Sequence, residues 1–391
     1  MGFPLRRPGQ DRAVAPTYPD GVPRLTDGTV TLRAMTEADL PASVEQSVDP
    51  ETVRWTTVPS PYDIEDAREF FGVIRAGWED DGDKTFVIEV TGDPGPIAFA
   101  GLIDVRPSQR GSSWEVGFAT HPAARGRGVM TAALRLAVAW AFEQGAPSVY
   151  WYANVGNWAS RRVAWKTGMT FHGTLPRFVK GRDGAEDAWV ASLLPGQPME
   201  PQTPWHVAPV IEGERVRLRP WRDDDGAALL PRNDPPHWLG DDDGAPSMTP
   251  ADFPAWLERR RSTVAAGVAV DWCIADRETD QALGDLDVFV RGGTLNGSDV
   301  AEIGYQLTPS ARGRGMASEA ARLAVAHALR PAAEGGLGVR RLVAETAADN
   351  EATNAVLRRA GFVEYGREHA VDALPDGTYG DALYWELVDG S

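Results

Sequence analysis

The sequence predicts an α+β protein in which one folding unit occurs twice. A turn with the sequence Arg-Gly-Arg-Gly occupies residues 125–128 and occurs again at 312–315. In both places a strand-like run precedes the turn and an amphipathic helical pattern follows it. The spacing is also kept, because Glu115 and Glu302 lie 187 positions apart, as do Arg125 and Arg312. A period this long indicates duplicated domains rather than a solenoid, whose repeats have about 20–50 residues.

The first predicted module covers residues 24–194. Residues 1–23 before it are rich in proline and charge, and we expect them to form a flexible arm. A strand pattern at 25–33 opens the module, and Thr36 then serves as the N-cap of a helix. Apolar residues at helical spacing predict another helix over 63–78. Runs at 85–90 and 97–103, joined by a turn with glycine and proline, predict two strands.

The second part of this module is built around the glycine turn. A strand at 114–118 leads into the turn, and apolar spacing predicts a helix over 131–142. A strand at 148–153 precedes a helix at 159–167, which Gly168 ends. Strands at 169–172 and 188–193 complete the module.

The chain after residue 194 repeats this order. Five prolines between 195 and 209 predict an extended linker. The second predicted module, residues 210–391, has strands at 216–219, 268–275, 284–290, 302–307 and 381–387 and helices at 252–265 and 318–329. Asn157 and Asn350 are 193 positions apart, so this module carries about six extra residues near 330–336.

Composition excludes several classes of function. The formal net charge is −17, which disfavours nucleic-acid binding and either attracts cationic acceptors such as amines or only aids solubility. The sole cysteine, Cys273, is predicted to be a small apolar strand residue, and the six histidines lack ligand spacing, so we expect no metal. The acidic runs at 223–225 and 241–243 are expected in solvated loops. Because no long apolar run or signal-peptide pattern occurs, we expect a cytoplasmic protein without a membrane segment.

The turn itself predicts a phosphate site. A glycine-rich turn that opens a helix presents free N–H groups and the positive end of the helix dipole. Two arginines beside it form a charged clamp for phosphate oxygens, or alternatively are only exposed surface charge. The residues therefore predict a diphosphate cradle, present twice.

The order strand, Arg-x-x-Gly-x-(Gly/Ala), helix, strand, Asn-x-x-Ser/Thr, helix resembles the GNAT superfamily of N-acetyltransferases. Both halves are most similar to the RimJ/RimL type, which acts on protein N-termini and related amines. The resemblance extends over residues 25–194 and 210–387. It implies two tandem GNAT (acyl-CoA N-acyltransferase) domains, each with a mixed, mostly antiparallel twisted sheet flanked by helices.

The resemblance implies acetyl-CoA as the cosubstrate, with its diphosphate on the turn. The implied contacts are Arg125, Gly126, Arg127, Gly128, Val129, Met130 and Thr131 in the first module, and Arg312, Gly313, Arg314, Gly315, Met316, Ala317 and Ser318 in the second. Met130 departs from the family pattern, which has Gly or Ala there. Its side chain is expected either to crowd the cofactor or to turn outward.

The Asn-x-x-Ser/Thr motif implies contacts with the pantetheine arm. Asn157 with Ser160, and Asn350 with Thr353, match it, although both pairs also suit helix capping. Many family members carry a tyrosine seven residues after the asparagine, which reprotonates the departing thiolate. Ala164 and Leu357 occupy those positions here. The hydroxyl of Ser160 or Thr353, or a water molecule, is therefore expected to replace it.

The strand before each turn carries the acid of the family motif. Glu115 and Glu302 are expected to point into the cleft and accept a proton through water, their pKa raised by partial burial. Alternatively they are structural or orient the acceptor. Backbone N–H groups are expected to stabilise the carbonyl oxygen. Those groups belong to Phe118 and Ala119 in the first module and to Tyr305 and Gln306 in the second, and Leu307 is a further implied cofactor contact.

The predicted function is direct transfer of an acetyl group to a primary amine of a peptide or small metabolite. Three alternatives are one catalytic and one degenerate module, a non-catalytic acyl-CoA-binding protein, and an enzyme for a longer acyl-CoA. Most tryptophans are expected in the core, with one or two lining the acceptor site. The chain is expected to be a monomer with an internal pseudo-dimer, or a homodimer.

Overall fold

The computed structural model describes residues 17–80, 82–92, 95–107, 113–228, 234, 238, 250–295, 298–374 and 376–388. The chain divides into two compact units, Met1–Gln202 and Thr203–Ser391, which are called the first and second modules below. Most of the predicted arm and the acidic run at 241–243 lie outside the described residues.

The first module contains eight strands and five α-helices among its described residues. The strands are β1 (Leu25–Thr26), β2 (Val30–Arg33), β3 (Lys84–Val90), β4 (Ile97–Pro107), β5 (Ser113–Thr120), β6 (Ser148–Asn154), β7 (Thr170–Lys180) and β8 (Ala185–Leu193). The helices are α1 (Leu40–Val48), α2 (Pro50–Trp55), α3 (Ile64–Glu79), α4 (Val129–Glu143) and α5 (Trp158–Lys166).

These strands form one sheet in the order β1-β2-β3-β4-β5-β6-β8-β7. Strands β5 and β6 pair in parallel, and the other pairs among the described strands are antiparallel. Helix α4 buries Leu134 and Val138 in a core with Ile103 and Trp151. A second apolar cluster, which includes Ile74 of α3, covers Val87. Helices therefore cover both faces of the sheet.

The second module repeats this arrangement. Its strands are β9 (Ile211–Glu212), β10 (Val216–Arg219), β11 (Ala269–Asp276), β12 (Ala282–Phe289), β13 (Val300–Leu307), β14 (Arg341–Ala347), β15 (Val363–Ala373) and β16 (Tyr379–Val388). Its helices are α6 (Phe253–Ala265), α7 (Met316–Leu329) and α8 (Glu351–Arg359). The sheet order is β9-β10-β11-β12-β13-β14-β16-β15, with β13 and β14 parallel. The predicted α+β fold of two units, each a mostly antiparallel mixed sheet flanked by helices, is confirmed.

Several elements extend beyond the sequence-based bounds. Helix α4 begins at Val129, two residues earlier than predicted, because Gly128 takes the N-cap position with φ of 76°. The pattern did not indicate α2, which is only six residues long. Strand β7 continues to Lys180, well past the predicted residue 172, because it forms a long bulged hairpin with β8.

Residues at the module borders pack on their own modules. Tyr18 donates a hydrogen bond from its hydroxyl to the carbonyl of Met35 and contacts Phe71, and burial raises its pKa to about 12. In the second module the indole N–H of Trp272 donates to the Pro209 carbonyl at 2.9 Å. Cys273 is fully buried in β11, as predicted for a small apolar strand residue.

Candidate active sites

Each sheet opens where its parallel strands part. The pairing of β5 with β6 covers Ser113–Val116 and Ser148–Trp151 and then ends. Beyond it β5 stays paired with β4, and β6 stays paired with β8. In the second module the β13–β14 pairing covers only Val300–Glu302 with Arg341–Val343. Backbone groups past these points face a gap, which suits an extended ligand with amide groups of its own.

A left-handed glycine turn follows the strand at the end of each gap. Gly126 and Gly128 have φ of 73° and 76°, and Gly313 and Gly315 have 71° and 78°. Helices α4 and α7 begin directly after these turns without a side-chain cap. Within the described part of the chain, the N–H groups of residues 126–130 and 313–317 have no protein acceptor. Each turn therefore presents a row of free donors at a helix N-terminus.

The space in front of the turns is open. A Cβ atom built on Gly126 or Gly313 would meet no atom within 4 Å. Free N–H donors, a positive helix end and an open approach fit the oxygens of a diphosphate. The residues present therefore fit the phosphate part of coenzyme A.

The first arginine of each turn is held by an aspartate. Arg125 donates from Nη2 to Asp49 Oδ2 and, at 3.2 Å, to Thr52 Oγ1. Arg312 makes a bidentate pair with Asp234, with both N–O distances at 2.7 Å. The Arg125 guanidinium also holds the pKa of Asp49 below its ordinary value. Arg125 and Arg312 therefore anchor the turn, and their share in a two-arginine clamp stays a prediction.

The second arginine of the turn differs between the modules. Arg127 donates from Nη2 to the Gly95 carbonyl at 3.1 Å and from Nη1 to the Ala123 carbonyl at 3.4 Å. Arg314 is exposed and, among the described residues, makes neither a hydrogen bond nor an ion pair. Only the second module therefore offers an unpaired turn guanidinium in the described part of the chain.

The residues that follow the glycines belong mainly to the cores. Met130 is 4% exposed and packs among Val129, Ala133 and Leu134. It neither crowds the front of the turn nor turns outward, which corrects both expectations for this residue. Several others are buried or half-buried and offer backbone rather than side-chain groups. They are Thr131, Leu307, Met316, Ala317 and Ser318.

Both asparagines cap helices. Asn157 Oδ1 accepts the N–H of Ser160 at 3.1 Å, and Asn350 Oδ1 accepts the N–H of Thr353 at 3.1 Å. The Ser160 hydroxyl also accepts the indole N–H of Trp151 at 3.0 Å, which leaves its own O–H free to donate. Capping is thus what the side chains do in this structure, and a pantetheine contact remains a prediction.

No hydroxyl stands where many relatives have the tyrosine acid. Ala164 and Leu357, in the corresponding places on α5 and α8, are 2% and 0% exposed. In the second module a different tyrosine approaches this helix, because Tyr305 donates from its hydroxyl to the Thr353 carbonyl at 3.2 Å. Burial raises the pKa of Tyr305 far above its ordinary value, so this phenol stays protonated.

Successive residues of a strand direct their backbone N–H groups to opposite sides, so only some of the donors expected near the acyl group can face the gap. The carbonyls of Ala119 and Gln306 approach Gly101 and Gly284 on the neighbouring antiparallel strands. The N–H groups of these two residues therefore point away from the gap, because both backbone groups of a strand residue lie on the same side. The expectation for Ala119 and Gln306 is corrected accordingly. The N–H groups of Phe118, Tyr305 and Leu307 face the gap.

Glu115 and Glu302 are both paired with arginines. Arg106, the cross-strand neighbour of Glu115, donates to its Oε1 at 2.7 Å, and the Glu115 side chain is 40% exposed. Arg291 makes a bidentate contact with Glu302 at 2.7 and 2.9 Å, and that glutamate is 15% exposed. Each strand acid is therefore held in an ion pair, and its expected role as proton acceptor stays a prediction.

Comparison with known proteins establishes the family. The sequence model of the acetyltransferase (GNAT) domain matches residues 29–170 and again residues 215–363. Together the two matches cover well over half of the chain. The chain belongs to the GNAT acetyltransferase family. The prediction of tandem GNAT domains is thereby confirmed, and acetyl-CoA is the cosubstrate of the family to which both modules belong.

Solved structures similar to this GNAT chain include three acetyltransferases. The microcin C7 self-immunity acetyltransferase MccE, solved with acetyl-CoA and AMP, is 14% identical, covers 43% of this chain and 93% of its own, and has a TM-score of 0.39. Mycobacterium smegmatis RimJ, solved with a CoA-disulfide, is 20% identical, with coverages of 46% and 88% and a TM-score of 0.39. RimL, a ribosomal L7/L12 α-N-protein acetyltransferase solved with coenzyme A, is 22% identical, with coverages of 46% and 98% and a TM-score of 0.37.

The two GNAT modules differ on the sheet face that carries the glutamates. In the first module Tyr150 and Tyr152 stack with centroids 6.2 Å apart, and Phe178 lies 5.0 Å from Tyr152. In the second module Glu345 occupies the place of Tyr152, and Arg291 lies 3.6 Å from it. At this position the first module therefore has an aromatic side chain and the second a charged one. Among the described residues no group of His, Cys, Asp and Glu is arranged to hold a metal ion, and no helix is long and apolar enough to cross a membrane.

Sequence reasoning missed the partners of the site residues. Asp49, Arg106 and Arg291 hold a turn arginine or a strand glutamate, yet none belongs to a motif. One signal was present, because Asp49 precedes Pro50, and an Asp-Pro pair is typical of a helix N-terminus. The Glu115–Arg106 contact depends on strand register, which the sequence does not specify at that distance.

Proposed function

We propose that this protein transfers the acetyl group of acetyl-CoA to a primary amine of a peptide or small metabolite, with one active site in each module. The observation that supports the proposal most directly is the parted parallel pair beside an uncapped helix, found in both modules. A RimJ/RimL-like acceptor, the N-terminus of a protein, belongs to this proposal.

Binding of the coenzyme is proposed to depend mainly on backbone groups. The N–H groups of residues 126–130 and 313–317 are available for the diphosphate, and those of Phe118 and Tyr305 for the acyl carbonyl oxygen. When bound, the coenzyme supplies an activated thioester. Arg125 and Arg312 contribute by fixing the position of the turn against Asp49 and Asp234.

The amine must lose its charge before it attacks a carbonyl carbon. Glu115 and Glu302 are ion-paired with Arg106 and Arg291, which fixes the carboxylates in position and suits them to orienting the amine. We propose that water takes the proton while each glutamate accepts a hydrogen bond from the amine. The hydroxyls of Ser160 and Thr353 are the proposed donors to the leaving thiolate.

Calorimetric titration with acetyl-CoA tests the coenzyme sites. Two equivalents per chain are expected, and Gly126→Val and Gly313→Val should each remove one, because a branched side chain at positive φ is strained and projects into the open cradle. One equivalent indicates a degenerate module, and none overturns the proposal. Tight binding of acetyl-CoA without thiol release indicates a non-catalytic acyl-CoA-binding protein. Faster thiol release from propionyl- or butyryl-CoA than from acetyl-CoA indicates an enzyme for a longer acyl chain.

Thiol release over an amine panel tests the roles of the glutamates. Glu115→Gln and Glu302→Gln should each lower kcat/KM by roughly 10- to 100-fold, the loss of one charge-assisted hydrogen bond. If the carboxylates orient the amine, the pH profile keeps its shape in the variants. If an ionisation disappears from the pH profile of a variant, the glutamate takes part in proton transfer. If both variants react at the wild-type rate, neither glutamate has a role in acetyl transfer.

A further inference from the structure

We propose that the second module contains a binding site for a phosphate monoester, formed by Arg215 and Arg314 beside the glycine turn, which the first module lacks. The inference rests on the proposed function, because the turn is where the coenzyme diphosphate is expected. It goes further by assigning a distinct chemical group to side chains that the diphosphate cradle does not need.

Arg314 borders a cavity of about 300 Å³ next to the turn. The hydroxyl-bearing residues Thr279, Thr308 and Ser310 also line this cavity. Thr308 is only 6% exposed, and its Oγ1 lies 3.4 Å from Ser310 Oγ. The guanidinium of Arg314 beside the Thr308 and Ser310 hydroxyls, at a partly enclosed opening, is a suitable environment for anionic oxygens.

Arg215 adds a second cation on the hairpin turn before β10. Its Nη1 lies 3.0 Å from the position that a Cβ of Gly315 would take. The backbone of Arg215 is fixed, since its N–H donates to Glu319 Oε1 at 3.0 Å and its carbonyl accepts the N–H of Arg277 at 2.9 Å. Among the described residues its guanidinium has no acceptor. A fixed backbone with an unengaged cation directs the charge at the turn.

The first module has neither feature. Thr29 stands at the place of Arg215, because Val30 and Val216 begin the equivalent strands β2 and β10. Arg127 stands at the place of Arg314 and is engaged by the Gly95 and Ala123 carbonyls. The difference between the modules is therefore specific to these two guanidinium groups.

Asp276 limits the class of ligand. Its Oδ1 accepts the N–H groups of Glu278 and Thr279 at 3.0 Å and the Thr279 hydroxyl at 3.2 Å, and it lines the same cavity. These hydrogen bonds, and more weakly the Arg314 guanidinium, hold the pKa of Asp276 below its ordinary value, so this carboxylate offsets part of the Arg314 charge. We expect this group of two arginines and one aspartate to bind a dianionic phosphate monoester more tightly than a singly charged carboxylate. The phosphate has enough charge and enough oxygens to contact both arginines at once. The ribose 3′-phosphate of coenzyme A is one source of this group, and a separate phosphorylated ligand is another.

The test compares coenzyme A with 3′-dephospho-coenzyme A by calorimetry in the full chain carrying Gly126→Val, which closes the first turn. Arg215→Ala and Arg314→Ala should each weaken coenzyme A binding by about tenfold and leave the dephospho form within about twofold. Arg277→Ala is the matched control. It removes a charge from the same region, but that charge is paired with Glu212 at 3.0 Å, so both affinities should stay unchanged. Should Gly126→Val unfold the chain, Gly126→Ala replaces it.

The remaining outcomes separate the two sources of phosphate. If the Gly126→Val chain with both arginines intact binds the two coenzymes equally, inorganic phosphate is titrated into the coenzyme-saturated protein. Binding that Arg314→Ala abolishes then supports the site with a separate ligand. Absence of both effects overturns the inference. If the second module binds no coenzyme, the proposed function fails there, while the phosphate titration still decides whether the arginines form a site.

Discussion

At the scale of single residues, a buried charge cluster distinguishes the second module from the first. Arg260 of α6 contacts Asp285 and Asp287 of β12 at 2.7 and 2.5 Å, and its Nε lies 3.8 Å from Asp271 of β11. In the first module the corresponding helix covers its strands with apolar side chains such as Ile74. Burial raises the pKa of Asp271 to about 7, although Arg260 opposes the shift.

This pKa predicts how stability depends on pH. The unfolded chain releases the Asp271 proton near pH 3.8, whereas the folded module holds it to about pH 7. Stability should therefore fall as pH rises through this interval, by up to about 4 kcal/mol from this group. Asp271→Asn keeps the shape without the charge and should flatten the pH dependence of the urea midpoint between about pH 4 and 7. Asp223→Asn, on a side chain 85% exposed, is the control and should retain the wild-type slope. Parallel curves for wild type and Asp271→Asn would contradict the prediction.

At the scale of elements, each module has a buried tryptophan in the equivalent strand pair, but on opposite strands of that pair. Trp151 of β6 is paired with Ala191 of β8, whereas Ala344 of β14 is paired with Trp385 of β16. Both indoles are 1% exposed. The volume in the core is kept while the side that supplies it changes, which is the substitution that close packing tolerates best.

The exchange predicts a rescue experiment in the first module. Trp151→Ala alone should destabilise by about 3–5 kcal/mol, the usual cost of emptying an aromatic core site. Adding Ala191→Trp should restore at least half of that loss. The transplanted indole still lacks an acceptor, which Thr346 Oγ1 provides for Trp385 at 2.9 Å. Adding Ala153→Thr at the equivalent place should therefore return about 1 kcal/mol more.

Denaturation midpoints of the single, double and triple variants measure these steps. Ala191→Trp by itself is the control, and it should destabilise through overpacking against the retained Trp151. A double variant no more stable than Trp151→Ala would show that the two cores are not interchangeable.

The same elements show what the sequence can and cannot predict. The strand, glycine turn and helix were predictable, because periodicity and Arg-Gly-Arg-Gly are local signals. The anchoring of Arg125 by Asp49 was not, since the two residues are 76 positions apart and meet only through the fold. Met130 shows the same limit, because burial depends on the helix face that meets the sheet. The Glu115–Arg106 pair required the register of two strands.

At the scale of the whole molecule, the proline-rich segment is shared between the modules. The sequence predicted a linker over 195–209, and the division into compact units falls between Gln202 and Thr203. Residues 203–209 contact the second module. The Pro204 ring lies against Gly267, Ala208 is 7% exposed in the core, and the Pro209 carbonyl accepts the buried indole of Trp272.

These contacts predict where the second module can be cut. A fragment starting at residue 203 should fold cooperatively, whereas one starting at 210, the sequence-based boundary, should be less stable by about 3 kcal/mol. The loss combines an unsatisfied indole, since Trp272 is 0% exposed, with the apolar area that Pro204 and Ala208 bury. Guanidinium denaturation of both fragments measures the difference, and a similar slope would show that the fold itself is kept. A fragment starting at 200 serves as the control and should match the one starting at 203. Equal midpoints for the 203 and 210 fragments would place residues 203–209 outside the folded module and support the boundary that the prolines suggested.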